Sequence, residues 1–417
     1  MIATVRGFRS MGRPAKVLLV NEMGETAGLL MLAPYLADHL THRIGLAVWL
    51  VGLLLGLRHF SEGLFAIGGT LGDRVGYKPV LVAGCGLEAV GSVLFGLSSA
   101  VPWLIGAAVF SGLARALFVP ARRAYLAQVE SDRKVEAFAL AGVCRRVGLL
   151  IGPLVGILLV HAGFESLCTA AAGVFVVLTL VQWWALPTCA GVHAGSRRPL
   201  WAEWREALGD RVFLAFAVTM CASYSLVYQL SFGLPIEVRQ VSGGRAGITA
   251  LFVLSALLGL AGQIRLTLWC ERRWTPGQVM VRGLIVMGVA FVPLMRPPAH
   301  GGPLIRLLPI LLCAAILTVG TMMVFPFEMA TIADLAGDRG IGTYYSVNNL
   351  LSGVGSVLGN LLSAAAMGLS RALNVSGLPW LVLLLLALMS ATALTFVNRS
   401  DRLAAGRLAG AHAGTTS

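Results

Sequence analysis

Residues 69 to 78 read Gly69-Thr70-Leu71-Gly72-Asp73-Arg74-Val75-Gly76-Tyr77-Lys78, a polar turn between two long apolar segments. Gly76 permits a tight turn, because glycine adopts backbone conformations that other residues avoid. Asp73 falls between two predicted helix ends, where a carboxylate can accept hydrogen bonds from N-terminal NH groups and pair with nearby basic residues. The stretch lacks the spacing and the Gly-Lys-Ser/Thr ending of a Walker A loop, so it does not predict a nucleotide site.

The composition of the chain excludes a soluble globular protein. Its 417 residues are 57% hydrophobic and 12% charged, with a mean hydropathy of +0.82, whereas soluble domains are about 25% charged. The net charge of +13 does not predict a nucleic-acid partner, because such binding needs a basic face on a soluble module. The seven cysteines are scattered and form no CxxC pair, so we expect neither a disulfide scaffold nor a metal site.

Apolar windows bounded by turn and charge signals predict twelve transmembrane helices. They fall at about 17–36, 45–67, 80–98, 102–119, 137–160, 166–186, 212–235, 246–268, 279–295, 304–327, 342–367 and 378–397. The first is expected to stay uncleaved, because it carries Glu22 and Glu25 and lacks a small-residue cleavage site. With both termini on one side, 20 of the 32 Lys and Arg residues fall on that side and 6 on the other. The positive-inside rule therefore predicts cytoplasmic termini in a plasma or inner membrane.

The two halves of the chain repeat. The stretch Pro120–Arg133 matches Pro326–Arg339 at an offset of 206 residues, and the pair Gly148–Gly152 aligns with Gly355–Gly359 at 207. An offset near half the chain length predicts an all-α polytopic membrane protein of two pseudo-symmetric six-helix bundles. The predicted divisions are an N-terminal tail (1–16), a first bundle (17–186), a linker with an amphipathic helix (187–211), a second bundle (212–397) and a C-terminal tail (398–417), with tails and linker cytoplasmic.

The polar turn resembles the signature cytoplasmic loop of the major facilitator superfamily, whose pattern is Gly-x-Leu-x-Asp-Arg-x-Gly-Arg-Lys. In that family the loop latches the two halves of a transporter together on the cytoplasmic side. The resemblance implies a gating role for Gly69, Asp73, Arg74, Gly76 and Lys78. Tyr77 stands where the family pattern has Arg.

The fifth predicted span carries Gly148, Gly152, Pro153 and Gly156, which is similar to the family's Gly-x-x-x-Gly-Pro-x-x-Gly element of drug/proton exporters. Glycines at i, i+4 and i+8 make a smooth face for a neighbouring helix, and the proline permits a kink. Simple helix packing is the alternative interpretation. Short runs at 56–60 and 117–120 resemble the multidrug-exporter branch of the family.

One residue of the family pattern is absent from the fourth predicted span. That span often carries an Arg four residues before a Gly, and here the position is Ala108, before Gly112. Arg115, three residues after the glycine, is the candidate substitute.

Charged residues within the first bundle are the predicted site of proton coupling. Each costs about 2.5–3.5 kcal/mol on insertion scales, so a functional role is the default hypothesis. We predict one polar cluster formed by Glu22, Glu25, Arg58, Glu62, Glu88, Arg115, Arg145 and Arg146. Glu22 and Glu25 are the predicted proton carriers, because they share a helix face and burial disfavours the charged form of a carboxyl group. The alternative is a set of static ion pairs, for instance Glu88 with an arginine of the fifth span.

The second bundle is predicted to supply the substrate surface. Arg265, Arg282 and Glu328 are placed near helix ends, where long side chains can reach the interface. The predicted polar lining is Tyr224, Tyr228, Gln229, Asn348 and Asn349, and the apolar lining, or plain core, is Met31, Leu32, Phe232, Met322, Met323 and Phe325. In the linker, Leu200, Trp201, Trp204 and Leu208 share one helical face, which predicts an amphipathic helix on the cytoplasmic leaflet.

Together these features predict a proton-coupled secondary transporter that exports drugs or other amphipathic small molecules by alternating access. Its expected partners are a small-molecule substrate, protons and the lipid bilayer, and we expect a monomer that uses the proton gradient and no cofactor. An exporter or symporter of an anionic metabolite is the first alternative, and a transporter-shaped receptor or scaffold is another. A polytopic membrane enzyme is the remote alternative, because the seven histidines form no catalytic motif.

Overall fold

The computed structural model of the chain describes most of the sequence. The described residues are 2–46, 50, 54, 61, 67–97, 100–188, 199–231, 233–242, 245–295, 302–337, 339–373, 375 and 377–399. Most of the second predicted span lies outside them, including the predicted cluster residues Arg58 and Glu62, and so does Phe232.

The described residues form sixteen α-helices and no strand. They are α1 (Ile2–Ser10), α2 (Arg13–Asp38), α3 (Gly68–Val75), α4 (Tyr77–Leu97), α5 (Val101–Val129), α6 (Lys134–Val160), α7 (Phe164–Ala185), α8 (Leu200–Gly209), α9 (Arg211–Tyr228), α10 (Gly233–Ser242), α11 (Arg245–Arg273), α12 (Pro276–Val289), α13 (Val292–Met295), α14 (Pro303–Ala336), α15 (Ile341–Leu373) and α16 (Leu378–Arg399). A π-helical turn, His39–Arg43, continues α2. The predicted all-α fold is confirmed.

Ten described segments are long and apolar enough to cross a membrane, and they correspond to predicted spans three to twelve. The first predicted span is α2, which is 26 residues long and carries the two glutamates. At about 1.5 Å per residue, such a helix is longer than the hydrocarbon core is thick. The chain is therefore a multi-pass membrane protein.

Local sequence explains where several helices begin. Proline stands in the first turn of α2, α5 and α12, where its missing NH group costs no helical hydrogen bond. Asp210 caps α9 by accepting hydrogen bonds from the NH groups of Val212 and Phe213 at 3.0 and 3.1 Å. Gly76, with φ of 90°, makes the turn between α3 and α4 that the sequence predicts.

Two helices are longer than the sequence predicts. The fourth predicted span ends at 119 but α5 continues to Val129, and the tenth ends at 327 but α14 continues to Ala336. Pro120 and Pro326 lie inside these helices. Helices within a membrane protein tolerate proline where neighbouring groups satisfy the freed backbone carbonyl. Most of the two stretches predicted as connections is therefore helix.

The chain divides into two compact units. The N unit comprises Val5–Ala207 and Ala336–Leu350, and the C unit comprises mainly Leu208–Leu335 and the described residues from Leu351 onward. In the N unit, α2 packs against α6 and α7, and α4 packs against α5 and α7. Its core includes Met31 and Leu32, which favours the plain-core interpretation of these two residues. In the C unit, α16 packs against α9 and α12.

Candidate functional site

A cluster of four charged side chains joins α2 to α5 in the N unit. Arg122 is 5% exposed and pairs with both predicted proton carriers. Its Nη2 lies 2.6 Å from Oε2 of Glu22, and its Nη1 pairs with Glu25. Arg115 Nη1 lies 3.4 Å from Oε1 of Glu25. Two acids and two bases make the cluster formally neutral.

Helical spacing brings these groups together. Glu22 and Glu25 are one turn apart on α2, and Arg115 and Arg122 are seven residues, or two turns, apart on α5. The sequence prediction ends the fourth span at 119, before Pro120, and therefore leaves Arg122 out of the cluster; α5 instead continues past this proline and includes Arg122. Its spacing from Arg115 is the signal that would have identified it.

The other predicted cluster residues lie in different surroundings. The carboxylate of Glu88, which is 3% exposed, accepts a hydrogen bond from Ser111 Oγ at 2.7 Å. Arg145 and Arg146 are half-buried on α6, and the charge of Arg145 acts on Arg122. Of the predicted set, Glu22, Glu25 and Arg115 are joined by ion pairs through Arg122 and Glu25, and Arg145 lies near enough for its charge to act on Arg122.

A buried group of neutral polar side chains lies beside the charged cluster on α2. Gln182 Nε2 donates to Asn21 Oδ1 at 2.7 Å and to Cys85 Sγ at 3.0 Å. All three residues are at most 1% exposed, and they tie α2 to α4 and α7. Sequence reasoning missed them, although Asn21 immediately precedes Glu22. Such polar contacts between membrane helices fix helix rotation.

The polar turn folds as α3, and Asp73 caps the start of α15. Asp73 is fully buried. Its Oδ1 accepts from the NH of Gly342 at 3.0 Å, and its Oδ2 accepts from the NH and Oγ1 of Thr343 at 2.8 and 2.9 Å. Tyr77, which replaces the family's Arg, donates its hydroxyl to Oδ1 at 2.5 Å. Burial raises the pKa of Asp73, and the hydrogen bonds that it accepts act in the opposite direction.

Glycine is required where α3 meets α15. The NH of Gly69 donates to Ser346 Oγ at 3.1 Å, and a Cβ atom on Gly69 would overlap the backbone carbonyl of Gly342. A Cβ atom on Gly342 would likewise overlap the carbonyl of Gly69. The two backbones can approach this closely only without side chains.

The linker helix α8 contacts a neighbouring face of α3, about 100° round the helix from the face that meets α15. Arg74 donates from Nε and Nη2 to Glu203 Oε1 at 2.9 and 2.7 Å. Trp204 Nε1 donates to Thr70 Oγ1 at 3.0 Å. The predicted apolar and charged faces of this helix are wrong in part. Glu203 is 5% exposed, and Trp204 faces the protein, whereas Trp201 is 62% exposed. The ion pair with Arg74 therefore buries Glu203, although the apolar pattern of α8 predicts that its charged residues face solvent.

The glycine motif of α6 is a packing surface for α2. A Cβ atom on Gly152 would lie 2.6 Å from the carbonyl oxygen of Ala27, and one on Gly148 would overlap the carbonyl of Met23. Gly156 meets Met31 in the same way. Close helix packing, which the sequence offered as the alternative, therefore describes this element.

The predicted substrate-lining residues fall in both compact units. Gln229 is buried at the end of α9, donates to the Ser225 carbonyl at 3.2 Å and accepts from Ser363 Oγ at 3.2 Å. Tyr224 and Tyr228 share its helix, whereas Asn348 and Asn349 belong to the N unit.

Glu328 corrects the prediction that it lies near a helix end. It is 2% exposed within the extended part of α14, and Ser223 Oγ lies 3.5 Å from its Oε2. Within the residues described, no group of three or more His, Cys, Asp or Glu side chains is arranged to hold a metal ion.

Comparison with known proteins gives the family. The family model described as Major Facilitator Superfamily matches residues 17–360. The chain belongs to this superfamily. An uncharacterised MFS-type transporter of Mycobacterium tuberculosis is 37% identical over 405 residues, covering 95% of this chain and 97% of the relative. The multidrug resistance protein MdtH of Salmonella paratyphi B is 29% identical over 369 residues, covering 88% and 89%.

Solved structures of superfamily members share the fold. The fucose:proton symporter FucP of E. coli has a TM-score of 0.70 at 14% identity, covering 92% of this chain and 98% of the symporter. The human organic anion transporter MFSD10 has a TM-score of 0.68 at 16% identity, covering 92% and 99%. Because the family model matches most of the chain, the chain is an MFS transporter with a small-molecule substrate and is not an enzyme.

Proposed function

We propose that this transporter is a proton-coupled exporter of drugs or other amphipathic small molecules that works by alternating access. The relation to a multidrug resistance protein supports the substrate class. The observation that supports proton coupling is the pair of carboxylates, Glu22 and Glu25, that share the buried guanidinium of Arg122. The proton gradient is the energy source in this proposal, and no cofactor takes part.

The shared guanidinium makes the cluster able to accept a proton. A single buried ion pair resists protonation, because neutralising one partner strands the other at a cost of about 3–5 kcal/mol. Here a proton on Glu25 leaves Arg122 paired with Glu22. Arg115, whose side chain is 20% exposed, can then turn to water. One proton can bind without leaving an uncompensated charge in the interior.

Protonation of this cluster would loosen the contact between α2 and α5, because it removes one of the charges that attract the two helices. We infer that α3 is the gate that responds to such movements. Asp73 and Gly69 hold α3 to the start of α15, and Arg74 holds it to the linker helix. The bonds that Asp73 and Gly69 make must open if the start of α15 moves away from α3.

The test is proton-driven flux in proteoliposomes with an imposed pH gradient, using a panel of lipophilic cationic dyes, drugs and organic anions. Glu25→Gln and Glu22→Gln keep the side-chain size and remove the titratable group. We expect each to reduce gradient-driven flux at least ten-fold. Glu165→Gln, at an exposed position on α7, is the matched control and should keep wild-type flux.

The outcomes separate the candidate functions. Undiminished proton-driven flux in both Glu22→Gln and Glu25→Gln would refute the proton-carrier assignment. Movement of organic anions alone would favour the metabolite transporter, and absence of all flux would favour a receptor or scaffold. We also infer a monomer with cytoplasmic termini, which labelling of single cysteines in sealed cells and the mass of the purified protein would test.

A further inference from the structure

Four side chains at one end of the C unit lie in a row, with two tryptophan indoles in the middle and an arginine guanidinium over each of them. Arg282 Cζ lies 4.3 Å from the ring centre of Trp274. The rings of Trp274 and Trp269 meet edge to face, with centroids 4.8 Å apart at 84°. Arg273 Cζ lies 5.3 Å from the ring centre of Trp269. We call these four residues the Arg–Trp stack.

Arg282 reaches this stack from inside an apolar helix. It lies six residues after Pro276, the first residue of α12, which is about 9 Å along the helix axis. Side chains on a helix tilt toward its N-terminus, and long basic side chains extend to the polar boundary. The guanidinium therefore returns to the level of Trp274, which precedes α12.

The stack leaves hydrogen-bond donors available at the guanidinium edges. Stacking on indole rings uses the faces of Arg273 and Arg282, whereas the NH groups of arginine lie in the guanidinium plane. Within the described part of the chain, Nη1 of Arg282 is buried and has no hydrogen-bond partner. A buried donor without an acceptor is costly, so this nitrogen favours an acceptor supplied from outside the protein. Arg273 is exposed and Trp269 is 43% exposed, so a ligand can reach the stack.

The position and charge of the stack identify the ligand class. It lies where one membrane-crossing segment, Gly247–Arg273, ends and the next, Pro276–Met295, begins. Its two arginines, with exposed Arg272 and Glu271 beside them, carry a net charge of +2. Tryptophan rings favour the headgroup level of a bilayer, and planar arginine donors match phosphate oxygens.

We propose that the Arg–Trp stack binds the phosphate group of an anionic phospholipid in the adjoining leaflet. The predicted orientation of the chain makes this the cytoplasmic leaflet, whose anionic lipids attract basic segments. The proposal does not depend on proton coupling, because it concerns a different unit of the chain and a different ligand.

Lipid binding to the purified full-length protein tests the proposal. Native mass spectrometry would compare dioleoylphosphatidylglycerol with dioleoylphosphatidylcholine at equal concentrations. We expect wild type to bind the anionic lipid at least ten-fold more tightly. Arg273→Gln and Arg282→Gln should each weaken that binding about ten-fold, which is about 1.4 kcal/mol. Arg272→Gln, with the same charge change on the neighbouring exposed residue, should stay within about two-fold of wild type.

Further variants keep the test decisive. Arg282→Lys retains the charge, and it should still weaken binding of the anionic lipid several-fold because an ammonium group cannot donate in the arginine plane. Equal affinity for the two lipids would overturn the proposal. If Arg272→Gln and Arg273→Gln weakened lipid binding equally, diffuse basic charge rather than a defined site would account for the binding. Displacement of the lipid by millimolar inorganic phosphate would assign the stack to free phosphate instead.

Discussion

Replacing Gly152 by Ala tests whether the close contact of α6 with α2 positions the charged cluster. The added Cβ atom would lie 2.6 Å from the carbonyl oxygen of Ala27 and 3.1 Å from Leu30 Cβ. Ordinary contact begins at 3.4 Å, so the oxygen must move by 3.4 minus 2.6, or about 0.8 Å. That oxygen belongs to the backbone and cannot rotate away, so α2 itself must shift.

The expected magnitude follows from this displacement. Overpacking of a close contact costs about 1–3 kcal/mol, and the higher helix propensity of alanine returns at most about 1 kcal/mol. Because α2 carries Glu22 and Glu25, a shift of nearly 1 Å also disturbs their bonds to Arg122. Misplacement by about 1 Å can cost about 100-fold in rates that depend on geometry, so we expect flux to fall by about 10- to 100-fold.

The assay pairs thermal unfolding in detergent with flux in proteoliposomes. The matched control is Gly173→Ala on α7, where an added Cβ atom has no neighbour within 4 Å. We expect this control to keep wild-type flux and to unfold at the same or a slightly higher temperature. If Gly152→Ala behaved like Gly173→Ala, the close contact would not position the cluster.

Three further predictions test the gate and the cluster. Asp73→Asn should speed hydrogen exchange of the first amides of α15 about ten-fold, because they lose a charged acceptor; unchanged exchange would exclude the cap. Glu203→Arg alone should lower the thermal stability, and adding Arg74→Glu to it should restore at least half of the loss. If the second change restored none of it, a direct pair would be excluded. Arg122→Gln should cost about 3 kcal/mol of stability, because half-buried Glu22 loses its ion pair and buried Glu25 keeps the longer contact with Arg115. Arg123→Gln should cost less than about 1 kcal/mol, and equal losses would contradict the assignment of Arg122.

The sequence predicts the helical fold and ten of the spans because membrane-crossing segments are set by local apolar length. The loop motif and the close helix contact of the glycines are likewise local patterns. Arg122 and Glu328 were misplaced for the opposite reason. Each follows a proline, and in the sequence alone a proline indicates the end of a helix. Whether the helix continues depends on the neighbouring helices, which the sequence pattern does not show.

Pairings between distant segments were beyond sequence reasoning. Glu203 and Arg74 are 129 residues apart, and nothing in the linker pattern distinguishes Glu203 from the exposed glutamate at 206. Tyr77 departs from the family pattern, yet its hydroxyl supplies a fourth donor to Asp73. The chemistry of a replacement becomes clear only when the surrounding donors and acceptors are placed.

The internal repeat relates the charged cluster of the first half to a corresponding pair of residues in the second half. In the first half, Gly148 and Gly152 contact Met23 and Ala27 on α2. In the second half, Gly355 and Gly359 contact Cys221 and Ser225 on α9, which lie 198 residues after Met23 and Ala27. By the same offset of 198 residues, Ser223 corresponds to Glu25. By the repeat offset of 206 residues, Glu328 corresponds to Arg122.

These two corresponding pairs meet in both halves but differ in charge. Arg122 forms an ion pair with Glu25, and Ser223 hydroxyl lies 3.5 Å from the Glu328 carboxylate. One architecture therefore holds a charge-balanced pair in the first half and a hydroxyl beside a carboxylate in the second. Within the described residues, Arg122 also pairs with a second carboxylate, Glu22, so a proton on Glu25 would leave the arginine with a partner. This asymmetry is the reason for proposing proton coupling in the N unit.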